Sequence, residues 1–465
     1  MASYFLGIDC GLTSIKAAVF DKNGNLVQSK SIKNSVVGGM IDTELLWEKV
    51  VACIKQSVEG IEKNIKAVSV CGHGNGLYLI VNGKPYKTAY SSMYNGTEIH
   101  DKRISEITLQ TVWAGQPLNI LCKLREENRK VYQSIDKIFF CKDFIRYMLT
   151  GVVATDYSDA SASGLLDNNT YTVNPLLYSL FGLNGAEKFI PDLYQSCDCA
   201  GYITESVEKL TGIRKGTPVA IGAFDVCGCL TGAGINDDSK YSIISGTWGI
   251  NASLTKNKVS DNRITQCCSF IDKSFNLCIE SAPTSCVNLE WLLNKVFPFI
   301  QLEDISELAK WETDLIYLPF IYPTMRNPAQ KAEFVNLNIE HTYKDMVKAV
   351  LEGVVYGHRM QLDALKLVGL NREEIVLSGG ATNSDAWCQL FADILNTPII
   401  VAKEKECGAL GAAIYAMVVH GEYKDVKTAQ RQTISYEKKF KPQKNYDVNY
   451  NEFLKIIRRN NGFRI

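Results

Sequence analysis

Two stretches of this chain align on one another without a gap: TPVAIGAFDVCGCLTGAG at 217–234 and TPIIVAKEKECGALGAAI at 397–414. Thr217-Pro218 matches Thr397-Pro398, Cys227-Gly228 matches Cys407-Gly408, Leu230 matches Leu410 and Ala233 matches Ala413. In each, a β-branched run leads into a helix rich in glycine and alanine, which lets that helix pack close to its neighbours. A second echo lies upstream in the same order. FLGID, CGLTS and IKAAVF open the chain as strand, turn and strand, and YSIIS, GTWG and INASLT repeat that plan from residue 241. Two echoes in one order predict an α/β unit built twice. A chain of 465 residues also exceeds what one hydrophobic core usually serves, so two domains of roughly 200 or more residues each are expected. The polar stretch Asn236 to Lys240 places the change of domain between 1–237 and 238–465, with a cleft between the halves.

Lysine plus arginine and aspartate plus glutamate stand at 50 each, so the whole chain carries no electrostatic footprint for nucleic acid or an acidic membrane. Nothing near Met1 resembles a signal peptide, and no apolar run reaches the roughly 18 residues of a membrane span. The expected setting is the cytoplasm and the expected partner a small molecule; a homodimer is left open. Fifteen cysteines without a secretion signal read as reduced thiols. The CxC spacing of Cys197/Cys199 and Cys227/Cys229 and the scattered histidines do not form the usual zinc knuckle.

Between the echoes, AVSVCG (67–72) and EIVLSGG (374–380) read as strands and GLYLIVNGKP as a hairpin. TELLWEKVVACIKQSVEGI, YKDMVKAVLEGVVYGHRMQLDAL and SDAWCQLFADILN have helical spacing of apolar residues. Asn23-Gly24 signals a type I′ turn, which needs positive φ at both central residues.

The residues that bear chemistry cluster at these junctions. Glycines and hydroxyls in DCGLTSIK (9–16) and SGTWG (245–249) form tips whose backbone N–H groups can cradle phosphate oxygens, although any structural hairpin can carry the same residues. No GxxxxGK[ST] loop occurs. Asp9 ends a buried-looking strand, where it either starts the turn or anchors Mg²⁺. Asp225 falls at an N-cap position, where the residue is either an ordinary cap or an ionised general base favoured by the helix N-terminus. The second copy carries Lys405 at the same offset, so only one half has the acid. Gly379, Gly380 and Ala381 make a small-residue turn against which a flat base can lie, with Asn383 able to hydrogen-bond it.

Together these segments resemble the FGGY family of carbohydrate kinases, within the actin-like, ribonuclease H-like ATPase group. The ordered matches are DCGLTSIK, GAFDVCGCLTGAG, SGTWG, SGGATNSDAWCQLFADILNTP and two longer signatures. GQPLNILCKLREE (115–127) departs from the first signature at Ile120 and Lys123, where lysine and tryptophan are usual. AEFVNLNIEHTYKDMVKAVLE (332–352) departs from the second at Asn336, where glycine is usual. The resemblance implies two duplicated actin-like domains, each round a mixed five-stranded sheet, with ATP and Mg²⁺ in the cleft. It implies Asp225 as the base that takes the proton of a sugar hydroxyl, and Asp9 with Asp225 as the metal anchors. It places Gly11, Thr13, Ser14 and Lys16 at the first phosphate tip, Gly246 and Thr247 at the second, and Gly380, Ala381 and Asn383 at the adenosine.

The likeness is greatest to members acting on pentuloses, which implies a ketopentose such as L-xylulose or xylulose, another ketose or a polyol being the alternative. His73, Asn75 and Trp113 are the residues expected at the sugar. His73 could equally be a packed strand end and Trp113 simple core. SSMYN (91–95) places Met93 and Asn95 where the family commonly has aspartate and arginine, so either the substrate differs or another residue replaces them. The competing readings are an actin-like ATPase that phosphorylates nothing, against which Asp225 and the second signature argue, and a sugar-binding regulator without catalysis, against which Asp9, Asp225 and both tips argue.

Overall fold

The computed structural model describes residues 3–324, 327 and 329–461. Its first sheet is built on β1 (Tyr4–Cys10), β2 (Ser14–Asp21), β3 (Leu26–Lys33), β4 (Ile65–Gly72), β5 (Cys199–Tyr202), β6 (Pro218–Ala220) and β7 (Ala223–Phe224). The order is β5-β6-β4-β1-β2-β3, with β7 also pairing β4. The second sheet holds β8 (Tyr241–Ser245), β9 (Gly249–Thr255), β10 (Gln266–Ser269), β11 (Asn276–Ala282), β12 (Ile375–Gly379), β13 (Ile399–Ala402) and β14 (Tyr436–Phe440), in the order β10-β11-β9-β8-β12-β13-β14.

The expectation of five strands per sheet is therefore corrected to seven. A common five-strand nucleus persists: β3-β2-β1-β4-β6 and β11-β9-β8-β12-β13 share two antiparallel pairings followed by two parallel ones. Of the additional strands, β5, β10 and β14 lie at edges, where they occupy backbone groups that an open edge would leave to solvent or to another chain, and β7 pairs the end of the central β4.

The principal helices are α1 (Thr43–Ser57), α2 (Cys141–Thr150), α3 (Tyr157–Ala162), α4 (Asp225–Gly232), α5 (Tyr343–Leu367), α6 (Asp385–Leu395) and α7 (Cys407–His420). Helices α4 and α7 are the two copies of the gapless echo, and they pack on each other. A Cβ on Gly411 would collide with the Gly228 carbonyl, and one on Gly232 with the Cys407 carbonyl. Bare backbone at these positions is what permits so close a crossing. The crossing also ties the halves together, because Ala409, Leu410, Ala413 and Ile414 of α7 share a core with Phe5, Ala18, Phe20 and Ala67 of the first sheet.

The Asn23-Gly24 turn differs from the expected type I′. Only Gly24 has positive φ (78°), Gly24 N–H donates to Asp21 C=O and Asp21 N–H to Asn25 C=O, both at 3.0 Å. This is a three-residue loop with a left-handed glycine, accompanied by a register shift between Val19 and Phe20. Positive φ at both central residues occurs instead at Asn82 (50°) and Gly83 (74°), in the hairpin joining Tyr78–Val81 to Lys84–Pro85. No helix among the described residues is long and apolar enough to cross a membrane.

Candidate active site

Asp9 stands next to last in β1, paired in register with Lys16 across the first hairpin. Its carboxylate lies against the first turn of α7, where a Cβ on Gly408 would collide with Oδ2. Burial pushes its pKa up to about 6, with Lys16 pulling it down and Glu406 pushing it further up. Lys16 Nζ is 2.6 Å from Glu406 Oε2, so this expected phosphate ligand reaches the cleft as half of an ion pair between the two halves of the chain.

Asp225 is the first residue of α4, and Phe224 occupies the N-cap. The expected capping geometry is thereby corrected: among the described residues the carboxylate accepts the adjacent Val226 N–H, at 2.7 Å, and no further hydrogen bond from the helix start. Burial raises its pKa to about 7, the negative charge of Asp9 adds to that, and His73 and the Val226 N–H oppose it. Both carboxyls keep partial exposure, as groups meeting a ligand must. Lys405, at the repeat's matching offset, lies before α7 rather than within it and donates to Asn383 Oδ1 at 3.1 Å.

The first tip, expected to meet phosphate, is a tight turn in which Gly11 N–H donates to the Ser14 carbonyl at 2.9 Å; Asn34 Nδ2 donates to the Gly11 carbonyl at 3.0 Å, and Thr13 is exposed. The second tip carries Gly246 and Thr247 and abuts the turn expected at the adenosine, since Ser245 stands opposite Gly379 in parallel register. Gly379 (φ 89°) puts its missing Cβ 2.5 Å from the Ser245 carbonyl, so only glycine fits between tip and turn. Gly380, Ala381 and Asn383 follow in a single short turn, with Ala381 buried.

Sequence reasoning missed the support beneath this second tip. Ser285 N–H donates to the Thr247 carbonyl at 3.0 Å and Cys286 N–H to that of Gly246 at 2.9 Å. Ser285 Oγ in turn bonds His358 Nε2 at 2.9 Å and Ser245 Oγ at 3.1 Å. Burial lowers the His358 pKa to about 3, so its ring is neutral.

Of the residues expected at the sugar, His73 bonds the Tyr78 hydroxyl through Nε2 at 3.0 Å, and the Cys10 carbonyl through its backbone N–H at 2.9 Å. Asn75 adopts a left-handed φ of 59°. His73 Nδ1 and Asn75 Oδ1 are buried with no hydrogen-bond partner among the described residues. Orphaned polar atoms of this kind are costly unless a ligand completes them. Trp113 is part-buried and faces Trp248 of the second tip, ring centroids 6.5 Å apart, so it bridges the halves rather than filling one core. Met93 is 58% exposed. Lys123 reaches the stretch where the family's arginine is missing, donating to the Asn95 carbonyl at 2.7 Å and lying 5.0 Å from the Tyr94 ring centre.

The N-terminal domain of the FGGY family of carbohydrate kinases matches residues 4–232, and its C-terminal domain residues 313–420. The chain is 29% identical over 483 aligned positions to a probable L-xylulose kinase of Haemophilus influenzae, covering 98% of each. It is 28% identical to the L-xylulose/3-keto-L-gulonate kinase of Escherichia coli, covering 93% of this chain and 91% of that one. Its fold matches the ligand-bound xylulose kinase of Lactobacillus acidophilus with a TM-score of 0.88 at 22% identity, over 98% of both chains. Two family domains in order, full-length relatives and a shared fold therefore make this chain a member of the FGGY family of carbohydrate kinases, an ATP-dependent enzyme that phosphorylates a sugar.

Proposed function

We propose that the enzyme phosphorylates a ketopentose, L-xylulose or xylulose, in the cleft between halves 1–237 and 238–465, with Asp225 as general base. The observation that carries this reading is Asp225 itself: a carboxyl held at a helix start, free of capping duty, with its pKa raised to about 7. A base poised near neutrality combines an ionised population with enough proton affinity to assist an alcohol. His73 Nδ1 and Asn75 Oδ1 supply two unspent polar atoms for a polyhydroxylated ligand, and Trp113 an apolar wall. Full-length relatives named for L-xylulose support the substrate class.

Asp225 accepts the proton of the substrate hydroxyl as that oxygen bonds to the γ-phosphorus and the bond to the ADP oxygen breaks. The two tips, at Gly11, Thr13 and Ser14 and at Gly246 and Thr247, orient the phosphates chiefly through the hydroxyls of Thr13, Ser14 and Thr247, because the Gly11 and Gly246 N–H groups already bond the Ser14 and Trp248 carbonyls, while Gly380, Ala381 and Asn383 hold the adenosine. Lys16 supplies positive charge at the first tip. The donor set fits Mg²⁺: Asp9 and Asp225 are oxygen ligands, and the charge of Asp9 raises the proton affinity of Asp225, a repulsion a dication relieves. When bound there, Mg²⁺ neutralises charge on the phosphate oxygens. The contribution of the chain is positioning and electrostatics, with water excluded once the halves close.

Asp225→Ala tests the assignment. It is expected to lower kcat by about 10²-fold or more while ATP still binds, as removal of a general base does. Unchanged turnover would refute the role.

A further inference from the structure

Behind the cleft lies a charge cluster that the proposed mechanism does not use. Lys142, Asp143, Arg146, Asp156 and Asp159 are all completely buried. Lys142 Nζ lies 2.6 Å from Asp143 Oδ1, 3.0 Å from Asp156 Oδ1 and 3.8 Å from Asp159 Oδ2. Arg146 and the Thr155 hydroxyl complete Asp143. Burying so many charges is expensive, and an apolar core of equal volume is often as stable or more so. A structural need alone therefore explains this cluster poorly.

Two parallel relays lead out of it. In the first, Asp156 accepts the Ser158 hydroxyl, and Ser158 Oγ accepts the backbone N–H of Phe224 at 3.1 Å. Phe224 is the N-cap residue immediately before Asp225. In the second, Asp159 Oδ1 accepts the Ser163 hydroxyl at 3.4 Å, and Ser163 Oγ accepts the backbone N–H of Asn75 at 3.2 Å. That hydrogen bond helps hold Asn75 in its left-handed conformation, one that a residue with a side chain keeps only when its surroundings enforce it. Each relay runs from a backbone N–H through a serine hydroxyl to an aspartate; Asp156 then meets Lys142 at 3.0 Å, whereas Asp159 Oδ2 stands 3.8 Å from it with no hydrogen-bond partner among the described residues, so Lys142 acts on the second branch through its charge.

We propose that Lys142 is the hub of a positioning device that fixes the catalytic carboxylate of Asp225 through Ser158 and the sugar-facing Asn75 through Ser163, setting the acceptor hydroxyl and its base at one distance. The inference rests on the assignment of Asp225 as base and Asn75 as sugar contact. The two branches act on different kinetic constants. The Ser158 branch aligns the base, which matters in the transition state, whereas the Ser163 branch shapes ground-state sugar binding.

The test is steady-state kinetics of Ser158→Ala, Ser163→Ala and Asp225→Ala, with sugar and ATP varied in turn and thermal unfolding measured alongside. Ser158→Ala is expected to lower kcat about tenfold or more with the sugar KM within about twofold, since a small misplacement of a reacting group costs that much. Ser163→Ala is expected to raise the sugar KM about tenfold with kcat nearly kept, and Ser163→Thr, which retains the hydroxyl, to recover it. KM for ATP stays unchanged in each. Lys142→Met shows both losses if it folds; if it does not, the serine variants decide. An inactive Asp225→Ala enzyme beside serine variants with wild-type constants, or with kcat, both KM values and unfolding temperature shifted together, overturns the relay. An active Asp225→Ala enzyme overturns the assignment of the base on which the relay rests.

Discussion

Replacing Asp225 by asparagine is expected to make the ligand-free protein more stable while abolishing turnover. The carboxyl ionises near 3.8 in its unperturbed state and near 7 in the folded protein. Between those values the folded state holds a proton that the unfolded chain has released, so stability falls as pH rises through the interval and is lowest above it. At about 1.4 kcal/mol per pKa unit the full penalty comes to roughly 4 kcal/mol, and the cleft water reaching this partly exposed carboxyl reduces it to about 2–3 kcal/mol. Asparagine carries no charge and can still accept the Val226 N–H, so the penalty vanishes. Differential scanning fluorimetry without nucleotide or Mg²⁺ should show the Asp225→Asn protein melting above wild type by an amount that grows from about pH 5 to about pH 8. A variant that melts lower, or whose advantage is the same at every pH, would show that Asp225 is not held at a cost in the fold.

The same shift governs activity. Because the base must be ionised, kcat/KM should rise about tenfold per pH unit below the pKa of the base and level off above it, with Mg²⁺ at Asp9 and Asp225 drawing that pKa below the ligand-free value of about 7, and a profile flat over the whole acid range contradicts a titrating base. Gly408→Ala drives a Cβ into the Asp9 carboxylate from the first turn of a helix. Turnover should fall about tenfold or more, with a raised Mg²⁺ requirement measured by metal titration, whereas a wild-type requirement would mean that Asp9 does not hold the metal.

Much of this was legible because it is local. The strand-turn-strand openings, the glycine-rich helices and Asp225 each lie within one short segment, and the duplication made the segments interpret one another. The crossing of α4 on α7 follows from the small residues that the echo retains. What stayed hidden depends on partners distant in sequence. Seven strands arise because β5 and β7 add to the first five-strand nucleus and β10 and β14 to the second, and of these β7 pairs with β4, far away in the chain. Gly408 read as a packing glycine, and only the fold brings Asp9 onto it. The Asn23-Gly24 turn type was misjudged because the dipeptide does not set φ at Asn23; the three-residue loop does. CKDFIR and ATDYSDASAS carry a density of charges and hydroxyls unusual for buried segments. Yet nothing in either names Phe224 or Asn75 as its target. The departure at Asn95 gained a physical reading only when Lys123 was found on its carbonyl.

The most direct measurement is ADP release by the purified enzyme with ATP and Mg²⁺, over neutral pentuloses, hexuloses, polyols and acid sugars, beside Asp225→Ala. Strong stimulation by L-xylulose or xylulose that disappears in the variant is the expected result. ATP hydrolysis indifferent to every sugar, or sugar-stimulated turnover that survives in the variant, would contradict the account.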